Sequence, residues 1–291
     1  MSDQSKAKTK AILLLVLAAA LWSTSGVLIK LVQWSPLALA SARGLLAALT
    51  MMVMIPGGYR PGLMTKNHWL SAWCLCILSI LFIWGMKLAP AANVIVFQYT
   101  APLWVAFLAP ILLGERTRGR DFLFMGLIFG GVVLFFVDDL SPEGFWGNVM
   151  GLGSGLFFGL QAMGLRRLKN NNPAQAVMTG HLLTFLILLP FWGPPWPDLT
   201  GWLMVGALGV FQMGVSYGIY STVVPRVSSL EMVLVPMLEP IICPVWVYIF
   251  VGERPGPWAV AGGAVVLVSV TVWSLTGLRA QKKPEPGAGA A

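Results

Sequence analysis

Apolar residues fill ten stretches of the chain, separated by short interruptions rich in Pro, Gly and charge. The stretches lie at 11–32, 37–55, 69–87, 91–113, 121–137, 147–164, 174–192, 200–222, 230–251 and 256–277. A hydrocarbon core ~30 Å thick needs ~20 apolar residues per helix, and these runs are of that order. The pattern predicts an all-α integral membrane protein with ten transmembrane helices. Residues 1–10 form a polar N-terminal segment, and 279–291, ending Pro-Glu-Pro-Gly-Ala-Gly-Ala-Ala, read as a disordered tail. Lys6, Lys8 and Lys10 ahead of an apolar run outline a signal peptide. The run continues to Val32, however, which favours an uncleaved first helix.

Composition removes the soluble alternatives. Apolar residues make up 57% of the chain, charged residues 10%, and mean hydropathy is +0.78. A soluble domain covers itself with roughly 25% charged residues. The net charge of +8 does not indicate nucleic acid, because the basic residues are scattered through connections rather than gathered on a face. Their distribution sets an orientation instead. With the N-terminus in the cytoplasm and ten alternating helices, fifteen of the nineteen Lys and Arg fall in cytoplasmic segments. Only Lys30, Lys87 and Arg254 fall on the opposite side, and Arg43 lies within a helix. This sorting predicts two cytoplasmic termini. Trp34, Trp69, Trp146, Trp192, Trp196, Trp202 and Trp258 fall at span ends, where indole anchors at the interface.

The chain repeats internally. Gly114-Glu115-Arg116 closes the fourth stretch and Gly252-Glu253-Arg254 the ninth, an offset of 138 that also pairs Pro102 with Pro240, Arg43 with His181 and Gly26 with Gly164. The units are a first five-helix repeat at 11–138 and a second at 139–278. An odd number of helices per unit makes the two inverted copies. Rocking one inverted half against the other opens a midplane site to alternate sides, the architecture of many secondary transporters.

On these motifs, with Gly130-Gly131-Val-Val-Leu and Gly262-Gly263-Ala-Val-Val late in each half, the chain resembles the EamA branch of the drug/metabolite transporter superfamily. Within that branch it is most similar to YddG-type exporters of aromatic amino acids. The resemblance implies a ten-helix exporter in a bacterial inner membrane, with a central cavity between its halves. It also implies a structural place for Arg43. Such motifs report fold more than substrate.

Ionisable groups at membrane depth are the first candidates for function. Glu239 lies about ten residues into the ninth stretch, ~14 Å deep at 1.5 Å per residue. Pro236, Pro240 and Pro244 surround it as candidate hinges, joined by Pro102 in the fourth stretch. A kinked helix with freed carbonyls beside a carboxylate suits an ammonium group or a proton; the competing reading is a neutral or paired structural acid. Arg43 has the length to snorkel or to hold backbone carbonyls. His181 is either a proton relay or a packing histidine whose ring is satisfied. Glu239 and His181 are therefore the coupling candidates.

Polar and aromatic positions mark a candidate cavity. Gln98 and Tyr99 belong to the fourth stretch. Gln212, Ser216 and Tyr220 recur every four residues in the eighth, with Tyr217 beside them, and Trp22, Ser23, Trp84 and Gln161 are candidates to add stacking surface and hydrogen bonds. The alternative is that each merely bonds a neighbouring helix. Gly147, Gly151, Gly155 and Gly159 form a stripe for close helix packing.

These observations favour export of small amphiphilic metabolites, aromatic amino acids first, by alternating access. Efflux of lipophilic cations is the rival within the class and makes a carboxylate obligatory. A membrane-embedded enzyme or a channel fits less well: Asp138-Asp139 is the only acidic pair, and no phosphate-binding Gly-Lys loop is present. Cys74, Cys76 and Cys243, all in apolar runs, fit neither a disulfide framework nor a metal site. The expected partners are a small-molecule substrate and membrane lipid, with proton coupling left open. No cofactor, metal or nucleic acid is expected, and the sequence leaves the oligomeric state unread.

Overall fold

The computed structural model describes residues 3–113, 119–138, 142–168, 171–223 and 236–281, all in helices and short connections. The helices are α1 (Asp3–Ser23), α2 (Ser25–Leu31), α3 (Pro36–Met54), α4 (Lys66–Leu88), α5 (Ala91–Gln98), α6 (Ala101–Leu113) and α7 (Gly119–Asp138). They continue as α8 (Pro142–Arg167), α9 (Pro173–Leu188), α10 (Leu199–Gly206), a π-helical segment Ala207–Val215, α11 (Ser216–Val223), α12 (Glu239–Val251) and α13 (Pro257–Gln281). Five stretches among the described residues are long and apolar enough to cross a membrane: Thr9–Leu31, Pro36–Met54, Lys66–Leu88, Pro173–Phe191 and Leu199–Tyr220. Many large apolar side chains face outward, including Val53, Ile111 and Val268. In water such a surface would drive aggregation; in lipid it is the solvated face.

Three apolar stretches are not single α-helices. The first breaks at Thr24, where Ser23 and Thr24 turn their hydroxyls back onto Ala20 O and Leu21 O, each 2.7 Å away. The fourth breaks between Gln98 and Ala101. Pro102 lacks the N–H that would bond Gln98 O, so the helix ends at Gln98 and restarts with proline in second place. The eighth widens into the π-helical segment.

The ninth stretch differs from the expectation as well. Glu239 does not sit partway along a continuous α-helix; it opens α12, preceded by a 3-10 turn at Pro236–Leu238. Pro240 occupies the tolerated start of that helix, and only Pro244 lies in its interior. The chain before Pro236, with Glu231, lies outside the described residues, as does Gly114-Glu115-Arg116. α6 and α12 each have 13 residues and begin at Ala101 and Glu239, the same offset as the sequence repeat. α7 and α13 begin at Gly119 and Pro257, again at that offset.

Glycine sets how closely these helices approach. A Cβ on Gly147 would stand 2.7 Å from Ala89 N, on Gly155 2.5 Å from Phe97 O, and on Gly159 3.0 Å from Ala101 O. The stripe on α8 thus seats that helix on the start of α5, on the α5–α6 break and on α6, joining the later half of the chain to the earlier one. Asn93 Nδ2 donates to Asn148 Oδ1 at 3.1 Å across the same seam. α7 and α13 pack together where a Cβ on Gly131 would come 2.9 Å from Gly262 O.

Connections gather at two ends of the bundle. At one, Trp34 Nε1 donates to Gly193 O at 3.1 Å, and the Trp34 ring packs against Trp192, Trp196 and Trp202. At the other, Tyr59 and Thr179 hydroxyls lie 3.1 Å apart and Gln175 Nε2 donates to Gly58 O at 2.8 Å. His68 is buried there. Its Nδ1 accepts the Thr65 backbone N–H at 3.1 Å, which leaves Nε2 to donate to Asn171 O at 2.9 Å. His68 is thus a helix-capping residue at the start of α4.

Candidate functional site

The buried polar groups near the middle of the bundle come from α1, α3, α9, α11, α12 and the break after α5. Glu239, at the first turn of α12, is buried. Tyr99, in the α5–α6 break, sets its hydroxyl 3.0 Å from Glu239 Oε2 and 2.7 Å from Pro236 O. A phenol has one proton to give, so the carboxylate and the carbonyl compete for it. Tyr99 sits in the break between α5 and α6, and from there its hydroxyl reaches the start of α12.

Aromatic rings stand beside this pair. Trp22 meets Tyr217 edge-on at 5.4 Å between centroids and Tyr220 at 5.7 Å. Tyr217 in turn meets the His181 ring at 5.7 Å. Ser23, next to Trp22, accepts a hydrogen bond from Trp246 Nε1 at 3.2 Å.

Arg43 projects from α3 and is 2% exposed. It lies within electrostatic reach of Tyr217 and Glu239, and His181 lies within reach of it in turn. A Cβ on Gly44 would stand 2.7 Å from His181 O, and one on Gly209 3.2 Å from Arg43 O, so α3, α9 and the π segment meet almost backbone to backbone. Arg43 Nη1, His181 Nε2 and Gln212 Oε1 find no hydrogen-bond partner among the described residues. Arg43 is too deeply buried to snorkel to the surface, and one nitrogen of the His181 ring is left without a partner among the described residues. Residues at equivalent repeat positions, Arg43 and His181, have been brought together.

Gln98 is half-buried at the end of α5, next to Tyr99. Ser216 is buried but donates to its own backbone, Phe211 O at 3.1 Å, five residues back. Gln161 is buried in α8, and its Nε2 has no partner among the described residues. Trp84 is 37% exposed on α4 and stacks on none of these rings. Pro102, Pro236 and Pro240 stand at helix starts or turns, and Pro244 stands inside α12.

A second polar group, missed in the sequence, ties the halves together at the Trp34 end. Lys30 Nζ pairs with Glu253 Oε2 at 2.8 Å and donates to Ala89 O at 2.8 Å. Glu253 Oε1 accepts the Ala91 N–H at 2.6 Å, one of the orphan donors at the start of α5. Lys87 Nζ donates to Val32 O. The motif around Glu253 explains the geometry: Gly252 ends α12 at φ +76°, a left-handed turn that glycine adopts without strain, and the next side chain is redirected onto α5. Arg254 then covers the Tyr248 ring, 5.3 Å from its centroid. Lys30 and Lys87 read in the sequence only as orientation charges, because their partners lie far away in the chain. Glu253→Ala is expected to cost about 1–2 kcal/mol, through the lost cap and the lost ion pair. Lys30→Met should cost less, and melting of the purified protein in detergent ranks the two.

The match to known proteins decides what kind of molecule this is. The model of the EamA-like transporter family matches twice, over residues 9–137 and 145–275. The chain belongs to the EamA-like transporter family. The two matches show two EamA repeats, one in each half of the chain. A Pseudomonas aeruginosa relative, uncharacterized protein PA1977, is 24% identical over 233 residues, covering 76% of this chain and 80% of its own. A crystal structure superposes with a TM-score of 0.65 over 94% of this chain and 99% of the other, at 19% identity, and so shares the fold. Membership in the EamA-like family makes the chain a multi-pass membrane transporter of small molecules. The buried groups around Glu239 and Arg43 form one polar cluster within the bundle.

Proposed function

We propose that the protein is a secondary exporter of small amphiphilic metabolites, aromatic amino acids first, working by alternating access at the centre described above. In this reading ten helices cross a bacterial inner membrane as two inverted five-helix halves, with both termini cytoplasmic. The YddG-type likeness in sequence supports the choice of substrate. The observation that carries the reading is the company Glu239 keeps: a buried carboxylate bonded to Tyr99, beside the Trp22–Tyr217–Tyr220 rings. Rings that stack an aromatic side chain and a carboxylate that meets an ammonium group are two of the recognitions a neutral aromatic zwitterion calls for. Trp22, Ser23, Gln98, Tyr99, Gln212, Tyr217, Tyr220 and Glu239 form the substrate site. Pro102, Pro236 and Pro240 set the helix starts that carry Tyr99 and Glu239.

Labelled tryptophan or phenylalanine loaded into proteoliposomes is expected to leave faster than from empty vesicles, with saturation and counterflow. Flux equal to that of empty vesicles rejects the substrate; flux without saturation or counterflow indicates a pore. A second reading, efflux of lipophilic cations, rests on the same buried carboxylate. It predicts that tetraphenylphosphonium is carried and phenylalanine is not. Glu239 and His181 are the groups proposed to couple transport to protons, and an imposed pH gradient that leaves the initial rate unchanged removes that role.

A further inference from the structure

The polar centre holds a cation with nothing bonded to one of its forked nitrogens. Arg43 Nη1 is buried, has no partner among the described residues, and lies between groups from α9, α11 and α12 that approach it electrostatically. A guanidinium is always charged, and leaving one of its N–H groups unpaired away from water is costly in proportion to its burial. His181 Nε2 is likewise buried and unbonded, in electrostatic reach of Arg43. Gly44 and Gly209 supply the close packing of α3, α9 and the π segment around it, and Glu239 lies within electrostatic reach of the guanidinium without bonding its Nη1.

The geometry points to Arg43 as a carboxylate anchor: the transported solute carries a carboxylate, received by Arg43 Nη1 with His181 at its side. The inference rests on the transporter reading and deepens it by naming the solute's anionic group. A planar carboxylate matches the guanidinium fork and offers two oxygens. Glu239 and Gln212 Oε1 are acceptors, so the carboxylate belongs at Arg43 and an ammonium group at the acceptors. The solute is then held by its two charges at different helices, α3 and α12. A rocking motion that separates these helices would release both at once.

The test measures binding rather than flux. L-phenylalanine, 3-phenylpropionate, phenylalaninamide and phenethylamine are titrated calorimetrically into the full chain in detergent. Phenylalanine is expected to bind at least tenfold tighter than phenylalaninamide, and 3-phenylpropionate to bind measurably. Arg43→Gln should abolish the advantage of phenylalanine over its amide while leaving phenethylamine affinity within about twofold, and Arg43→Lys should restore part of it. If wild-type protein prefers no carboxylate over its amide or amine, the anchor is wrong. It is equally wrong if Arg43→Gln weakens phenethylamine as much as phenylalanine, which is the signature of a structural role. Should Arg43→Gln fail to fold, the wild-type probe series decides alone. A carboxylate preference without flux in proteoliposomes would reject transport and keep the anchor; flux without that preference would reject the anchor and keep transport.

Discussion

Replacing Glu239 by glutamine should lower the initial rate of phenylalanine export from proteoliposomes at least tenfold, while 3-phenylpropionate, which has no ammonium group, continues to bind. Glutamine keeps the volume and one acceptor oxygen for Tyr99, so the change isolates the charge. A tenfold effect corresponds to about 1.4 kcal/mol. That is within the range of a single charge-assisted hydrogen bond lost from a buried site. Tyr99→Phe serves as the companion variant. It removes the hydroxyl that Glu239 and Pro236 O share and should reduce the rate less than Glu239→Gln, since the carboxylate survives. Equal rates for wild type and Glu239→Gln, at matched amounts of folded protein, would remove Glu239 from the substrate site.

The largest effect on stability is expected at Gly155. A Cβ there would sit 2.5 Å from Phe97 O and 2.8 Å from Thr100 Oγ1, and Thr100 already donates to Phe97 O at 2.6 Å. Main chain cannot step aside as a side-chain tip can, so Gly155→Leu forces α8 away from the α5–α6 break. Overpacking of this kind costs about 3 kcal/mol or more. The melting temperature in detergent should fall by roughly 5–10 °C, given the usual size dependence. Gly130→Ala is the control: nothing lies within 4 Å of its would-be Cβ, and the helix gains propensity. A Gly155→Leu protein that melts with wild type would show that α8 is not seated as described.

How much of this was legible beforehand follows from range. Helix existence was readable because apolar run length is a local property, and five stretches among the described residues are long and apolar enough to cross a membrane. The equal α6 and α12 were foreshadowed by the pairing of Pro102 with Pro240, again a local signal repeated at a fixed offset. The breaks were half legible: proline announces one, but its position in the second place of a helix, rather than at a mid-helix kink, depends on which turn the chain abandons. Lys30 and Glu253 lie more than two hundred residues apart, as do Ser23 and Trp246, and nothing in a one-dimensional pattern brings them together. Arg43 and His181 were noticed as matched positions. That their free nitrogens lie in one buried centre is a property of three helices packed on glycine. The eighth stretch misled in a specific way. A spacing of four in Gln212, Ser216 and Tyr220 presumes an α-helix, and the wider π turn reassigns Ser216 to its own backbone.

That wider turn has a mechanical consequence. A π-helical segment stores one more residue per loop of backbone than its flanks need, and such insertions recur at working sites. Passing the surplus residue along the chain would let Ala207–Val215 tighten without unfolding. Everything beyond it, Tyr217 and Tyr220 included, would then swivel by about 100°, the angle one residue subtends in an α-helix. A stack of rings against Trp22 could thus be opened like a turnstile, by a slip of one peptide unit, while α3 and α9 stay where they are.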